Sequence, residues 1–134
     1  MNKFKIVLVL LSLVITTTYG QTENKIEVIN FHSTHRCVKC KAIEKNTNET
    51  LTTVFAKELK EGTITLQVIN VDKKENYSIA EKFEATGTSM FLNVVVGGKE
   101  KKIDITRFAF SNAKNPSQFA EILKSKIDDQ LKEI

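Results

Sequence analysis

The length, composition and charge of the chain limit the classes of protein to which it can belong. It has 134 residues, with 20 Lys and Arg against 16 Asp and Glu, and a formal net charge of +4. The basic residues are interspersed with acidic ones and form no block with interleaved aromatic residues, so we expect no nucleic-acid partner. With no internal repeat and no linker-like stretch, a chain of this size predicts a single domain after any export signal.

Residues 1–20 have the composition of a secretory signal peptide. Lysines precede an apolar run at residues 6–15, and small and polar residues follow up to Gly20. The apolar run is too short to cross a membrane, and the three regions occur in the order of an export signal. We therefore predict a signal peptide at residues 1–20 and a secreted or periplasmic domain at residues 21–134, without a stable membrane anchor. An uncleaved anchor or a buried N-terminal helix is the alternative.

Hydrophobic periodicity predicts strands and helices in turn along the remaining chain. Strands are indicated by short apolar or alternating runs, and helices by apolar residues spaced three and four apart. In chain order the predicted elements are a strand at 26–31, a helix at 37–61, a strand at 63–71, a helix at 77–84, strands at 90–96 and 100–105, and a helix at 116–131.

Residues with special backbone preferences predict the boundaries of these elements. The Asn-Thr-Asn stretch at residues 46–48 is a poor helix interior and predicts a kink, and Gly62 is placed to end the first helix. Asn76 is a suitable cap for the short second helix. The Gly-Gly pair at residues 97–98 predicts a hairpin turn, and the Asn-Pro pair at residues 115–116 predicts the start of the last helix.

The order of elements, β-α-β-α-β-β-α, predicts an α/β fold. The first β-α-β crossover makes a parallel pair of strands, and the glycine hairpin adds an antiparallel strand at the edge. We expect a four-stranded mixed sheet with helices on both faces.

The chain resembles the thioredoxin fold over nearly all of residues 21–134. A strand leads through a short loop into Cys-Val-Lys-Cys at a helix start, and β-α-β-β-α follows. Several stretches are also similar to small exported thioredoxin-like proteins of the ArsF family, named after a subunit of a nitrophenyl-compound nitroreductase. These stretches are residues 31–32, 35–37, 40–44, 68–72, 103–104 and 108–110. The resemblance implies exchange with a protein thiol or disulfide, or service to a larger reductase, although the chain has no flavin or nicotinamide motif.

The cysteine pair suits thiol–disulfide exchange. At the helix start, the Cys37 sulfur would face unpaired backbone N–H groups, and His35, Arg36 and Lys39 add positive charge that favours the thiolate. We therefore expect Cys37 to attack, and Cys40, one turn later and more buried, to resolve the mixed disulfide. No cofactor is expected beyond the redox-active disulfide itself.

Three positions depart from the thioredoxin pattern. Ser89, preceded by Thr88, stands where the family has a cis-proline facing the cysteines, and we expect a trans peptide there. Phe31 takes the place of the family's buried carboxylate, six residues before the first cysteine. Glu44 is close enough along the helix to assist, but a solvent-exposed position is the simpler interpretation. Arg36 replaces the usual tryptophan. These departures predict slower or more specialised exchange.

Metal binding is the main alternative use of the same segment. Cys37 and Cys40, with His35 and His32, combine thiolate and imidazole ligands that suit Cu(I) or Zn(II). Met90 would approach from the facing loop, although a core position is the simpler interpretation. An inert disulfide is the third possibility, but a bridge that closes so small a loop removes little entropy from the unfolded chain.

A docking role is a separate possibility. Residues 107–110, Arg-Phe-Ala-Phe, are aromatic and follow the edge strand, so they are a candidate contact surface for a non-catalytic subunit of a larger reductase. Packing under the last helix is the alternative for these aromatic residues. Otherwise we expect a monomer, and the sequence does not indicate the redox partner or the direction of electron flow.

Overall fold

A computed structural model describes residues 23–134, so the predicted signal peptide at residues 1–20 lies outside the described residues. None of the described helices is both long and apolar enough to cross a membrane. The elements are β1 (Lys25–His32), α1 (Val38–Val54), α2 (Ala56–Glu61), β2 (Ile64–Asn70), a 3₁₀ turn (Lys74–Asn76), α3 (Tyr77–Lys82), β3 (Ser89–Val96), β4 (Lys99–Asp104), α4 (Thr106–Asn112) and α5 (Pro116–Leu131).

The four strands form one mixed sheet in the order β2-β1-β3-β4. Strand β1 is parallel to β2 and antiparallel to β3, and β3 is antiparallel to β4. Gly97 and Gly98 join β3 to β4 with φ angles of 58° and 78°, the positive values that a tight hairpin turn requires. The predicted mixed sheet and the predicted hairpin are therefore confirmed.

Alternation along β1 divides the core into two clusters, one on each face of the sheet. Ile26 and Val28 point to the face that carries α1, α4 and α5, where the larger cluster lies. Ile29 and Phe31 point to the opposite face, where the smaller cluster packs against α3. Helices on both faces, as predicted, follow from this division because each face of the sheet is apolar and needs a cover.

The predicted kink at residues 46–48 is wrong, because α1 runs without a break to Val54. Asn46 and Thr47 are buried there, but their polar groups have partners. The Asn46 side-chain amide donates to the carbonyl of Ala113 at 3.0 Å, and the Thr47 hydroxyl donates to the carbonyl four residues earlier at 2.7 Å. A long-range contact thus stabilises a helical segment whose local preference is poor. The break occurs instead at Phe55, between α1 and α2.

The caps agree with the sequence at two of three positions. Gly62 ends α2 in the left-handed conformation, with φ 81°. Asn115 caps α5, with its side-chain oxygen accepting from the Gln118 N–H at 3.1 Å. Asn76 is at the N-cap position of α3, as predicted, but its side chain makes no capping hydrogen bond: its amide donates to the Asn70 carbonyl at 2.9 Å, and a 3₁₀ turn precedes α3.

Helix α4 was not predicted, and it contains the candidate docking residues. The Phe108 ring lies 4.9 Å from the Phe119 ring of α5, centroid to centroid, and Phe110 is also partly buried against the larger cluster. Ala109 between them is fully buried. The core-packing alternative is therefore the correct one for these aromatic side chains.

Candidate functional site

The two cysteines form a disulfide at the start of α1. Cys37 is the N-cap of the helix, and its sulfur accepts a hydrogen bond from the Cys40 backbone N–H at 3.0 Å. Cys37 is exposed, whereas Cys40 is only 8% exposed. An exposed cysteine thus lies at the positive end of a helix, and its disulfide partner is a buried cysteine three residues later.

The parallel pairing of β1 and β2 positions the loop that leads to Cys37. Both strands end at the same edge of the sheet, so the loops that follow them meet. The Thr34 backbone N–H donates to the Asp72 carboxylate at 2.6 Å, and the Asn70 amide donates to the Thr34 hydroxyl at 3.2 Å. The backbone N–H and the hydroxyl of Thr34 together hold the pKa of the Asp72 carboxyl below its ordinary value. These contacts fix the approach to the cysteines.

The charged residues near the cysteines differ in their surroundings. Arg36 forms an ion pair with Glu44, and their side chains are 21% and 34% exposed. His35 and Lys39 are exposed, and Lys39 makes no ion pair within residues 23–134. The simpler sequence interpretation was that Glu44 is a solvent-exposed carboxylate. In the structure it is instead partly buried and paired with Arg36. It acts on the one cation that directly precedes Cys37.

The segment at Thr88 and Ser89 lies beside the loop that leads to the cysteines. Ser89 begins β3 opposite Phe31, and a side-chain carbon added to Gly87 would lie 3.6 Å from the Ser33 hydroxyl oxygen. No peptide bond among the described residues is cis, so the trans peptide expected before Ser89 is confirmed. The Ser89 hydroxyl donates to the Gly87 carbonyl at 3.4 Å.

Asn30, rather than Phe31, is the residue whose side chain points from β1 toward α1. Phe31 lies on the opposite face, where its ring packs against Phe83 and Phe91 at centroid distances of 5.6 and 5.9 Å. Asn30 is 3% exposed, and neither atom of its amide has a hydrogen-bond partner within the described part of the chain. The sequence contained a signal for it, namely a polar residue in the middle of an apolar strand. Counting six residues back from Cys37 had pointed to the wrong face.

The residues of the metal alternative are less favourably placed. His32 is half-buried, with its Nδ1 3.0 Å from the Ser33 carbonyl oxygen. Met90 is buried in the core, and its sulfur accepts from the Thr47 hydroxyl at 3.7 Å, so the core interpretation holds for it. Across residues 23–134, no group of three or more His, Cys, Asp or Glu side chains is arranged to hold a metal ion. Metal binding by the reduced cysteines stays a prediction.

An open groove of about 810 Å³ lies on the α3 face and extends along the Thr88–Ser89 segment. The end of α3, the loop before β3 and the end of β4 form its walls. Phe83 lies in its wall, with the amines of Lys82 and Lys102 5.8 and 5.1 Å from the ring centre. The groove therefore offers both apolar and charged contacts close to the loop that leads to the cysteines.

Comparison with known proteins shows a likeness of fold. No protein-family model matches the chain, and no curated protein matches it in sequence. A thioredoxin from Thermus thermophilus superposes with a TM-score of 0.50 and 16% identity, over 77% of this chain and 74% of that chain. The structure of a malarial protein matches with a TM-score of 0.41 and 17% identity, over 67% of this chain and 93% of that chain. At 16% identity, the first match concerns the fold alone. The sheet order, the crossover and the superposition on a thioredoxin show that residues 23–134 have a thioredoxin-like fold with a Cys-x-x-Cys disulfide at the start of its first helix.

Proposed function

We propose that the protein is a thiol–disulfide oxidoreductase in which Cys37 attacks and Cys40 resolves. The observation that carries this proposal is the contrast between an exposed cysteine at a helix N-cap and a buried cysteine three residues later. In the reduced protein, the Cys37 thiolate attacks a disulfide of a partner protein and forms a mixed disulfide. Cys40 then attacks the Cys37 sulfur, which releases the partner with its thiols reduced and restores the intramolecular disulfide.

The helix start supplies the charge stabilisation that the first step needs. The Cys40 N–H already donates to the Cys37 sulfur in the disulfide form. After reduction, the same N–H and the positive end of α1 would face a thiolate, and they stabilise a negative charge more than a neutral thiol. The thiolate of Cys37 is therefore favoured over that of Cys40, which is buried.

The neutral side chain of Asn30 has a consequence for the second step. Cys40 must lose its proton before it can attack, and Asn30 has no group that takes up a proton at neutral pH. No carboxylate occupies this position on the buried face of β1. We therefore expect resolution to accelerate as the pH rises toward the ordinary thiol range, because the proton must leave for water.

The partner and the compartment form part of the same proposal. We infer an exported monomer that acts in an oxidising compartment after removal of residues 1–20, in agreement with the signal-like composition of that segment. A disulfide protein or a larger reductase would dock over the exposed Cys37 and the neighbouring groove. The second kind of partner follows from the resemblance to ArsF proteins proposed from the sequence, and in that case this chain would be an electron-transfer subunit that uses only its own disulfide.

Trapping of mixed disulfides tests the proposal. A Cys40→Ser variant should accumulate a covalent complex with a disulfide substrate, because Cys37 still attacks but nothing resolves the complex. A Cys37→Ser variant should accumulate at least about tenfold less, since the remaining sulfur is buried. Non-reducing gels with mass spectrometry would identify the linked sulfur. If neither variant captures a substrate and the wild-type disulfide cannot be cycled with dithiothreitol, the proposal is wrong.

A further inference from the structure

The ion pair between Arg36 and Glu44 connects the residue before Cys37 to the second turn of α1. Arg36 lies in the loop, and Glu44 lies on the helix four residues after Cys40, so the pair joins the two sides of the cysteine segment. Both side chains are partly shielded from solvent, unlike the i,i+4 pair of Lys45 and Glu49, whose side chains are 73% and 56% exposed. Partial burial strengthens the interaction of a charge with its neighbours.

The Arg36 guanidinium also has an unused donor. One of its terminal nitrogens contacts Glu44, but its Nε is buried and has no acceptor within the described part of the chain. A buried N–H of this kind costs free energy until it finds an acceptor. In the disulfide form, neither cysteine carries a charge. Reduction creates an anionic sulfur on Cys37, the residue directly after Arg36 in the chain, and the only side-chain contact of the guanidinium among the described residues is with Glu44.

We propose that Arg36 is a positioning residue that stabilises the Cys37 thiolate, and that Glu44 sets the redox equilibrium by competing for the same guanidinium. This inference rests on the proposed function. Reduction by glutathione breaks the Cys37–Cys40 bond, consumes two glutathione thiols and forms one glutathione disulfide. Of the two protons from those thiols, one stays on Cys40 and the other is released to solvent when Cys37 remains a thiolate.

Opposite effects are expected from removing the two charges. Glu44→Gln leaves the guanidinium free for the thiolate, which favours the reduced form and makes the protein more oxidising. Arg36→Gln removes the cation and leaves the Glu44 carboxylate unpaired on the helix that Cys37 caps, which disfavours the negatively charged reduced form. We expect the equilibrium constant with glutathione to change about 3- to 10-fold in each direction, a size that suits partly exposed charges. A tenfold change corresponds to about 30 mV for this two-electron couple.

The equilibrium constant is measured in glutathione buffers, by separating alkylated from disulfide-bonded protein. Arg36→Lys keeps the charge and should stay within about twofold of wild type, and the double variant Arg36→Gln with Glu44→Gln should return toward it. The matched control is Glu49→Gln on the same helix, which removes an exposed carboxylate from its partner Lys45. If only the net charge mattered, Glu49→Gln would change the equilibrium constant with glutathione as much as Glu44→Gln does.

Two negative results have different meanings. If wild-type protein does not equilibrate with glutathione or dithiothreitol at all, the proposed function fails and this inference fails with it. If wild type equilibrates but the Arg36→Gln and Glu44→Gln variants both match Glu49→Gln, the exchange function stands and the role of the ion pair is overturned. Thermal unfolding of the oxidised variants shows that they are folded, and a purely structural role would change the melting temperature without moving the redox equilibrium.

Discussion

The start and the middle of α1 differ in how they treat buried polar groups. In the middle, the side chains of Asn46, Thr47 and Thr50 are buried and all hydrogen-bonded to backbone carbonyls. Near the start, the Asn30 amide and the Arg36 Nε are buried without a partner in the described residues. The satisfied groups thus lie within α1, whereas the unsatisfied ones lie on β1 and in the loop that precedes the helix.

This difference has a physical meaning. A buried polar group without a partner costs about 1–3 kcal/mol, so most native structures avoid it. A ligand, a water molecule or a change of charge can complete such a group. We therefore expect substitutions of the paired groups in the middle of α1 to cost more stability than substitutions of the unpaired groups that precede the helix. The following predictions test that division, from the largest expected effect to the smallest.

The buried face of α1 after its first turns should carry a large share of the stability. Leu51 is completely buried in the larger cluster, so Leu51→Ala should lower the free energy of unfolding by about 2–5 kcal/mol. Val54, three residues later on the same helix, is 41% exposed, and Val54→Ala should change the stability by less than about 1 kcal/mol. Urea denaturation of the oxidised proteins measures both. Equal losses in the two variants would contradict the placement of this helix face in the core.

Replacing the paired Asn46 and the unpaired Asn30 should change the free energy of unfolding in different directions. Asn46→Leu removes the donor to the Ala113 carbonyl and should destabilise the protein by about 1–3 kcal/mol. Asn30→Leu removes an amide that has no partner among the described residues, and it should be neutral or stabilising by up to about 2 kcal/mol. The two variants exchange the same side chains in buried surroundings, so each serves as the control for the other.

The measurement is again the free energy of unfolding of the oxidised forms. A clear destabilisation by Asn30→Leu would mean that a buried water molecule or another group satisfies the amide, since such groups are usually hydrogen-bonded. In that case the difference between the start and the middle of α1 would be smaller than the protein contacts alone indicate. If Asn30→Leu and Asn46→Leu lowered the free energy of unfolding equally, these two amides would not differ in how well they are hydrogen-bonded.

The order of elements could be predicted because it depends on local signals. Apolar alternation marks the strands, and the turn glycines and the Asn115 cap act within a few residues of their own position. The unbroken α1 could not be predicted, because its buried Asn46 depends on Ala113, 67 positions later. Local preference alone favours a kink there, and the packing of α1 near α4 overrides it.

For the candidate site, the sequence indicated the position of the cysteines and named Arg36 as a nearby cation, but it did not indicate the contacts of the surrounding side chains. The sequence placed Cys37 and Cys40 at a helix start, where the structure has them. It did not pair Arg36 with Glu44, because the contact depends on how the loop folds against the helix. It named Phe31, six residues before Cys37, and did not consider Asn30, because counting back from a cysteine assumes a loop length, whereas the alternation of β1 decides which side chain faces α1.

The smallest predicted effect concerns Asp72, which holds the loop before the cysteines. Hydrogen bonds from the backbone and side chain of Thr34 lower the pKa of this carboxyl in the folded protein. A group whose pKa is lower when folded contributes stability above its unfolded pKa of about 4 and loses that contribution as the pH falls through the folded value. The stability difference between wild type and Asp72→Asn should therefore be constant near neutral pH and shrink below about pH 4. Urea denaturation at a series of pH values measures this difference, which should be small because Asp72 is exposed. A difference that grew on acidification would show that the carboxylate opposes folding, and the loop before Cys37 would then be held by contacts other than the bond from Thr34.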